Sequence, residues 1–348
     1  MTVEIGRYRP EDRPGAEALY RRVFGSDAAT ANSQRWAWQY EDNPSNPSGT
    51  PEIWVARDGG IVVGQYGTMP VQLLVHQTPV AGSWGMDVMV APERQREGLG
   101  ERLFRTWDTH VGVSLGLGLS ESSYRLFGKL GWPDVGPLPC FVKPLTTRAV
   151  ARSGWPGPAN RALSALVLGL VRVLGHPPAD AGELNLLDRF DEGVTRLWER
   201  VSPKLDLAVR RDAAYLNWRF VAARHARYAI VGLRRSGEMI GYAVYRHVRE
   251  AEARVTLLVD FLVDPDDAPA LRAILGAIDR AARRVGSDKI RCFTMHAGYG
   301  RGLRRAGYFR APSTLEFVIK VNAFVPPPDL YSRTTGWHVT LGDSDQDR

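Results

Sequence analysis

The sequence predicts a mixed α/β protein, an α+β mixed-sheet fold, built as two tandem copies of one unit. Helical and strand periodicities alternate through both the first and last parts of the chain. Arg35-Trp36-Ala37-Trp38-Gln39-Tyr40 is echoed by Tyr215-Leu216-Asn217-Trp218-Arg219-Phe220, and each is followed by a strand, a Gly-containing turn and a second strand. Trp38 and Trp218, and Gly64 and Gly241, are separated by nearly the same number of residues, as a duplication requires. A length of 348 residues also exceeds one typical domain. The expected division is 1–148, a linker carrying an apolar helix over 149–190, and a second copy over 191–348.

In the first copy, Pro10 to Phe24 reads as a helix with Ala18, Leu19 and Val23 on one face, and Ser33 to Tyr40 as a Trp-rich helix closed by Asp42-Asn43-Pro44. Ile53–Arg57 and Ile61–Gln65 flank Asp58-Gly59-Gly60, a hairpin signal. Val71–His76 and Gly85–Val90 continue the sheet. A helix over Glu97–His110, a strand over Val113–Leu119 and a short helix over Ser123–Leu130 complete the unit. The second copy repeats this order: strands Tyr228–Leu233, Met239–Tyr245 and Val255–Val263, helix Pro265–Val285, strand Lys289–Thr294, short helix Gly300–Ala306 and strand Leu315–Val321.

Gly154-Trp155-Pro156-Gly157-Pro158 and Gly175-His176-Pro177-Pro178 bracket the apolar run Ala162–Leu174, read as a buried or domain-bridging helix. A membrane-surface helix is the alternative, opposed by how few basic residues the run itself offers to lipid headgroups. Leu163–Leu174, broken by Arg172, is shorter than the roughly 20 residues a spanning helix needs, so no membrane span is expected. The amino terminus lacks a charged segment followed by an apolar one, which implies a cytoplasmic protein. Hydrophobic residues at 44% and charged residues at 24% exclude a disordered or collagen-like chain. The net charge of +7 admits nucleic acid, an anionic surface or a polyanionic ligand, but no aromatic–basic RNA motif or helix-turn-helix pattern accompanies it, so no nucleic-acid partner is expected. Cys140 and Cys292 have no metal-ligand spacing, so neither a disulfide scaffold nor a metal site is expected.

The informative stretch runs from Met86 to Leu103. A strand ends at Val90, Pro92 breaks it, and a polar loop leads to Gly98 and Gly100, where a helix begins. Without a Cβ, these glycines let a ligand approach the backbone. The unpartnered N–H groups and dipole of the helix start suit a phosphate or pyrophosphate. A P-loop is excluded because no Lys-Ser/Thr follows Gly100. The spacing Gln95-x-x-Gly98-x-Gly100 after an antiparallel meander also differs from a dinucleotide fingerprint.

That spacing, with Val90-x-Pro92 before it and Phe127-Gly128-Lys129-Leu130-Gly131-Trp132 downstream, resembles motif A and the closing segment of the GCN5-related N-acetyltransferase (GNAT) superfamily. The resemblance covers Val3–Val142 and looks like the tandem, two-domain bacterial type. It implies two GNAT-like acyl-CoA N-acyltransferase domains, with acetyl-CoA as acyl donor. Its pyrophosphate would rest on Gln95, Arg96, Glu97, Gly98, Leu99, Gly100 and Glu101, and its pantetheine would pair with Val88, Met89 and Val90. The second copy has Asp264-Pro265-Asp266-Asp267 where the glycines should be. Its carboxylates would repel a pyrophosphate, so it is expected to be a degenerate copy without cofactor.

Acyl transfer to an amine needs a base or water relay, an oxyanion donor and a route for the thiolate. The family's usual acid, a Tyr, aligns with Phe127, leaving Tyr124 one turn earlier as the substitute acid. Asp87, the carboxylate nearest the cofactor strand, is the candidate base or acceptor-binding group, with Glu121 a weaker one. His110 suits a helix end, and His296 could line an acceptor cleft. The alternating Asp343, Asp345 and Asp347 of the tail could reach a cationic amine if Trp337 and Leu341 anchor it. The expected partners are an acyl-CoA and a small amine, amino sugar or peptide amine. The alternatives are a CoA-binding module without turnover, suggested by Phe127, and an aminoacyl transferase of the related tandem fold.

Overall fold

The computed structural model describes residues 3–151, 156–174 and 181–347. The first half contains β1 (Glu4–Arg7), α1 (Arg13–Phe24), α2 (Ser26–Trp36), β2 (Ile53–Asp58), β3 (Ile61–Val75), β4 (Thr78–Val90), α3 (Leu99–Asp108), β5 (Val113–Leu117), α4 (Glu121–Lys129), β6 (Asp134–Pro137) and β7 (Cys140–Pro144). Then come α5 (Thr147–Val150) and α6 (Gly157–Leu174). The second half contains β8 (Glu183–Leu187), α7 (Glu192–Val201), β9 (Leu207–Val209), α8 (Ala213–Leu216), β10 (Ala229–Arg235), β11 (Glu238–Glu250), β12 (Ala253–Val263), α9 (Ala268–Arg284), β13 (Lys289–Phe293), α10 (Ala297–Arg305), β14 (Phe309–Ala311), β15 (Glu316–Val321) and β16 (Trp337–His338).

These strands form two mixed sheets, as the fold class predicts. The first runs β1-β2-β3-β4-β5-β15-β6, and the second runs β8-β10-β11-β12-β13-β7-β14. The two orders match strand for strand, with one exchange. β7, from the first half, lies between β13 and β14, while β15, from the second half, lies between β5 and β6. The division at 148 is therefore crossed in both directions, and β8 falls inside the stretch 149–190 that was read as linker. β9 and β16 extend the first sheet through the far end of β3.

Several boundaries differ from the sequence reading for physical reasons. The strands expected at Ile61–Gln65 and Val71–His76 are one 15-residue strand, β3. It runs unbroken through Pro70, opposite Ser83 of β4. Both Trp-rich segments end in a π-helical turn, at Ala37–Glu41 and Asn217–Val221. These turns meet each other. Trp38 Nε1 donates to the Trp218 carbonyl and Trp218 Nε1 donates to the Trp38 carbonyl, both at 2.7 Å. The indoles stack with centroids 5.2 Å apart.

The apolar helix α6 is not a buried helix. Only Ser164 and Val171 are buried, and one face is open. The Gly154-Trp155 and Gly175–Pro178 punctuation lies outside the described residues.

The tail closes the second half. β12 pairs with β13 only over Val255–Leu258, so the strands diverge beyond it. Tail residues fill the gap. His338 Nε2 lies 2.8 Å from the Phe261 carbonyl, and Gly342 packs against Asp260 and the Val259 carbonyl. Arg211, fully buried, bonds Asp260 at 3.0 Å and Asp343 at 2.9 Å. At the corresponding helix start, Asp267 accepts from Ala270 N and pairs with Arg235, while Lys204 spans Asp264 and Asp266. The carboxylates that replace the glycines thus cap α9 and hold neighbouring cations.

Two predictions follow from this packing. A fragment ending at residue 148 lacks β15, leaving β5 exposed and Trp84 without Phe317. It should lose the cooperative thermal transition of the full chain, and adding a peptide of residues 315–322 should recover part of it. A fragment melting as sharply and as high as the full chain would refute the exchanged-strand constraint.

The second prediction concerns pH. Burial, with Arg301 nearby, pushes the His296 imidazole down from 6.5 to about 4, and burial, with Arg211 nearby, holds His338 well below its ordinary value. As pH falls, the unfolded chain protonates first. Stability from this source is complete above pH 6.5 and is lost as pH drops toward about 4. His296→Asn keeps an N-cap for α10 and should flatten that decline in thermal unfolding. An unchanged slope would show that His296 is not responsible.

Candidate functional site

In the first half, β4 pairs in parallel with β5 only from Gly82 to Trp84. Beyond Trp84 the strands splay, and the edge of β4 from Gly85 to Val90 faces a cleft rather than β5. A bulge sits in this edge. Gln65 faces Met89 and Gly67 faces Met86, so Tyr66 alone opposes Asp87 and Val88. Asp87, in this bulge, takes a left-handed conformation, with φ of 47°.

The cleft leads to the start of α3. Gly98 is in the left-handed region, with φ of 76°, and Cβ atoms at Gly98 or Gly100 would meet nothing within 4 Å. The space above the helix start is therefore open, as a bound pyrophosphate requires. Arg96 and Gly98 are exposed, while Leu99, Leu103, Phe104 and Trp107 anchor α3 to the sheet. Gln95 Nε2 is 3.5 Å from the Val90 carbonyl, folding the loop over the strand end. Arg94 joins Asp58 and Glu97. Glu101 joins Arg105 and Lys129, at 2.9 and 3.3 Å, linking α3 to α4.

Where the strands part, a cavity of about 680 Å³ opens. Its walls are Tyr20, Phe24 and Ala28 from α1 and α2, Gly85 to Val88 of β4, and Leu117 to Ser120 with Ser123 beyond β5. Asp345 and Gln346 of the tail complete the rim. Tyr66 lies directly over Gly85, where a Cβ would strike its hydroxyl, so Gly85 is what lets the Tyr66 ring fit beneath the strand. The Gln346 side chain occupies the space over Gly118, whose φ of 67° and lack of a Cβ admit it.

The residues singled out in the sequence separate here. Asp87 lies in the cavity wall, but donors surround its carboxylate: Gln39 Nε2 and Tyr40 Oη at 3.1 Å, Asn32 Nδ2 at 3.3 Å and Tyr20 Oη at 3.4 Å. Arg35 lies 3.6 Å away. Asp260 occupies the same strand position in the second half, three residues before Val263 as Asp87 is before Val90, and also holds a Tyr and an Arg.

Tyr124 turns away from the cavity and donates to Asp134 Oδ1 at 2.7 Å. That hydrogen bond, with burial and the Asp134 charge, pushes its hydroxyl up to about 12. Phe127 is buried between Phe104 and Trp132. Glu121 is exposed and pairs with Arg125. His110 caps the end of α3, with Nδ1 2.6 Å from the Thr106 carbonyl, and its ring lies tilted against Trp54. His296 accepts from Tyr299 N as the cap of α10, away from the cavity.

The three tail carboxylates do different work. Asp343 binds Arg211, and Asp347 accepts from Arg219 Nη2 at 2.7 Å and Tyr228 Oη at 2.6 Å. Asp345, between two buried anchors, faces the cavity. Tyr20, Ser120, Ser123 and Gln346 also line it and carried no sequence signal, because each sits in an unremarkable local context. Among the described residues, no group of three or more His, Cys, Asp or Glu side chains is placed to hold a metal ion.

Residues 4–133 match the family model described as an acetyltransferase (GNAT) domain. No curated protein matches the chain. Solved structures match over nearly its whole length. A GCN5-related N-acetyltransferase from Anabaena variabilis superposes with a TM-score of 0.63 at 12% identity, covering 92% of this chain and 73% of that one. Saccharomyces cerevisiae N-myristoyltransferase with bound myristoyl-CoA gives a TM-score of 0.58 at 12% identity, covering 97% and 89%. Eis1 from Mycobacterium abscessus gives 0.56 at 16% identity, covering 92% and 73%. The glycine-started helix and the splayed β4 edge lie within the segment, residues 4–133, that matches the GNAT domain model, and the solved structures share the fold of the whole chain.

Proposed function

We propose that the protein is an N-acetyltransferase that moves an acetyl group from acetyl-CoA to a primary amine of a small molecule, amino sugar or peptide. One observation carries this reading: the open helix start at Gly98 and Gly100 adjoins the unpaired β4 edge Gly85–Val90, which ends in a cavity. The pyrophosphate would rest on Gln95 to Glu101, and the pantetheine would run along Val88, Met89 and Val90. This places the thioester beside Gly85 and Tyr66. The myristoyl-CoA in the yeast enzyme supports an acyl-CoA as the donor class.

In this reading the acceptor enters from the side of Tyr20 and the tail. Asp345 draws the ammonium in and accepts its proton. The freed nitrogen attacks the thioester carbon, the C–S bond breaks, and the thiolate leaves. A thiol with pKa near 8.5 can leave without a dedicated acid. Backbone N–H groups of the splayed β4 edge are the oxyanion donors. Asp87 is assigned to acceptor binding through the Tyr20 hydroxyl, and holds the bulged strand. Tyr124 is a positioning residue that fixes the start of β6 through Asp134.

Acetyl-CoA at a hundredfold excess over Kd should stabilise the native state by about 2.7 kcal/mol in a thermal shift assay. Gly98→Glu, which places a carboxylate on the helix start, should abolish the shift. A shift retained in that variant would mean the pyrophosphate sits elsewhere. Stabilisation without thiol release on any amine would favour a CoA-binding module without turnover, the reading that the aromatic Phe127 suggests.

The roles within the cavity are separable. Asp345→Asn should lower kcat/KM by roughly a hundredfold and steepen its rise with pH, while leaving the acetyl-CoA shift intact. Tyr124→Phe should leave kcat nearly unchanged. The opposite ranking would return the acid role to Tyr124 and remove Asp345 from the reaction.

A further inference from the structure

The helix α6 presents a continuous apolar stripe to solvent. Ala162, Ala165, Leu166, Gly169, Leu170 and Val173 are all exposed, and their spacing places them on one face. Leu166 and Val173 are each 73% exposed and Leu170 46%. Large aliphatic side chains at this exposure, in a row, are not a scattering of surface residues. The opposite face is held, since Val171 packs against Gly307 in the turn between α10 and β14.

The stretch of chain that carries the stripe has charge of one sign. No Asp or Glu occurs between Asp134 and Asp180, whereas Arg148, Arg161 and Arg172 fall within that stretch. Arg161 and Arg172, eleven residues apart, share one flank of α6 and are both exposed. The α6 sequence is poor in basic residues, but the fold supplies more. Gly307 N bonds the Arg304 carbonyl, so the turn touching Val171 also carries Arg304 and Arg305 to the helix. Arg310 and the partly exposed Phe309 follow directly. The nearby Asp279 is already taken by Lys143 and Arg283.

We infer that α6 and the α10–β14 turn form a docking face for an anionic lipid bilayer, with the Leu166–Leu170–Val173 stripe entering the headgroup boundary and the arginines meeting lipid phosphates. No helix among the described residues is long and apolar enough to cross a membrane, so the contact is peripheral. Charge complementarity selects this occupant. A second copy of the chain docked through the same stripe would bring two arginine rims together.

Cosedimentation of the full chain with vesicles tests this. Binding to vesicles of phosphatidylcholine with about a third phosphatidylglycerol should exceed binding to pure phosphatidylcholine by roughly tenfold or more, and should fall as salt rises. Leu166→Glu with Leu170→Glu should abolish it. Arg161→Glu with Arg172→Glu should remove the preference for anionic lipid. Because all four side chains are exposed, thermal unfolding and the acetyl-CoA shift should be unchanged in both variants. Absence of binding to the anionic vesicles would overturn the inference. So would equal binding to neutral ones, or a wild-type dimer in sedimentation velocity that the leucine variant dissolves.

Discussion

The reciprocal pair between Trp38 and Trp218 is the constraint on which the rest of this molecule depends. Two π-helical turns, one from each half, exchange indole N–H bonds to each other's carbonyls across a stacked ring pair. A buried indole must find an acceptor or leave an expensive orphan donor. Here each turn is the other's acceptor, so neither half is satisfied alone. The strand exchange has the same logic. β15 seals the edge of β5 and β7 seals that of β13, removing two exposed edges that would otherwise invite aggregation. The halves are thus mutually completing rather than merely adjacent.

That mutual completion also places the tail. Arg219, next to Trp218 and fully buried, bonds the carbonyls of Gly342 and Ser344 and the Asp347 carboxylate. Its guanidinium also lies over the Trp38 ring, with its carbon 5.5 Å from the centroid. One residue therefore ties the inter-half contact to both ends of a short segment. Between these tethers, only Asp345 and Gln346 face the first cleft. The same tail upstream, from His338 to Asp343, fills the equivalent gap of the second sheet. Duplication gave two splayed sheets, and one tail resolves them oppositely, plugging one and furnishing the other with a carboxylate.

Much of this was legible in the sequence, for identifiable reasons. The glycine pair at Gly98 and Gly100 is a local signal, since the backbone conformation and open space it provides depend on few neighbours. The duplication was legible because the Trp segments and hairpin turns repeat at similar spacing. The acidic replacement at Asp264–Asp267 correctly marked the second helix start as different, although the carboxylates turn out to cap and pair rather than merely repel. The exchange of β7 and β15 left no trace, because a strand carries the same alternation whichever sheet receives it. The cavity lining was equally hidden. Tyr20, Ser123 and Gln346 lie far apart in sequence, and only the splay of β4 and β5 with the return of the tail brings them together.

The comparison of Asp87 with Asp260 carries the argument about catalysis furthest. Both sit three residues before the strand end, in sheets whose neighbouring strands diverge at the same place. Asp260 holds Arg211, Tyr242 and Thr340 in a half whose cleft is filled by the tail. An aspartate at this position thus has a sufficient physical reason to exist without catalysis, because it gathers the donors of the preceding helices onto an irregular strand. Asp87 does the same for Tyr20, Asn32, Gln39 and Tyr40. A carboxylate so enclosed is well suited to fix the cavity wall. Asp345 also accepts a hydrogen bond, from Gln346 Nε2 at 3.1 Å, but it stands in the cavity rim, between the anchored Asp343 and Asp347. In the proposed reaction, holding the wall falls to the strand aspartate and meeting the acceptor falls to the tail, which is why Asp345→Asn, rather than a change at Asp87, tests the base.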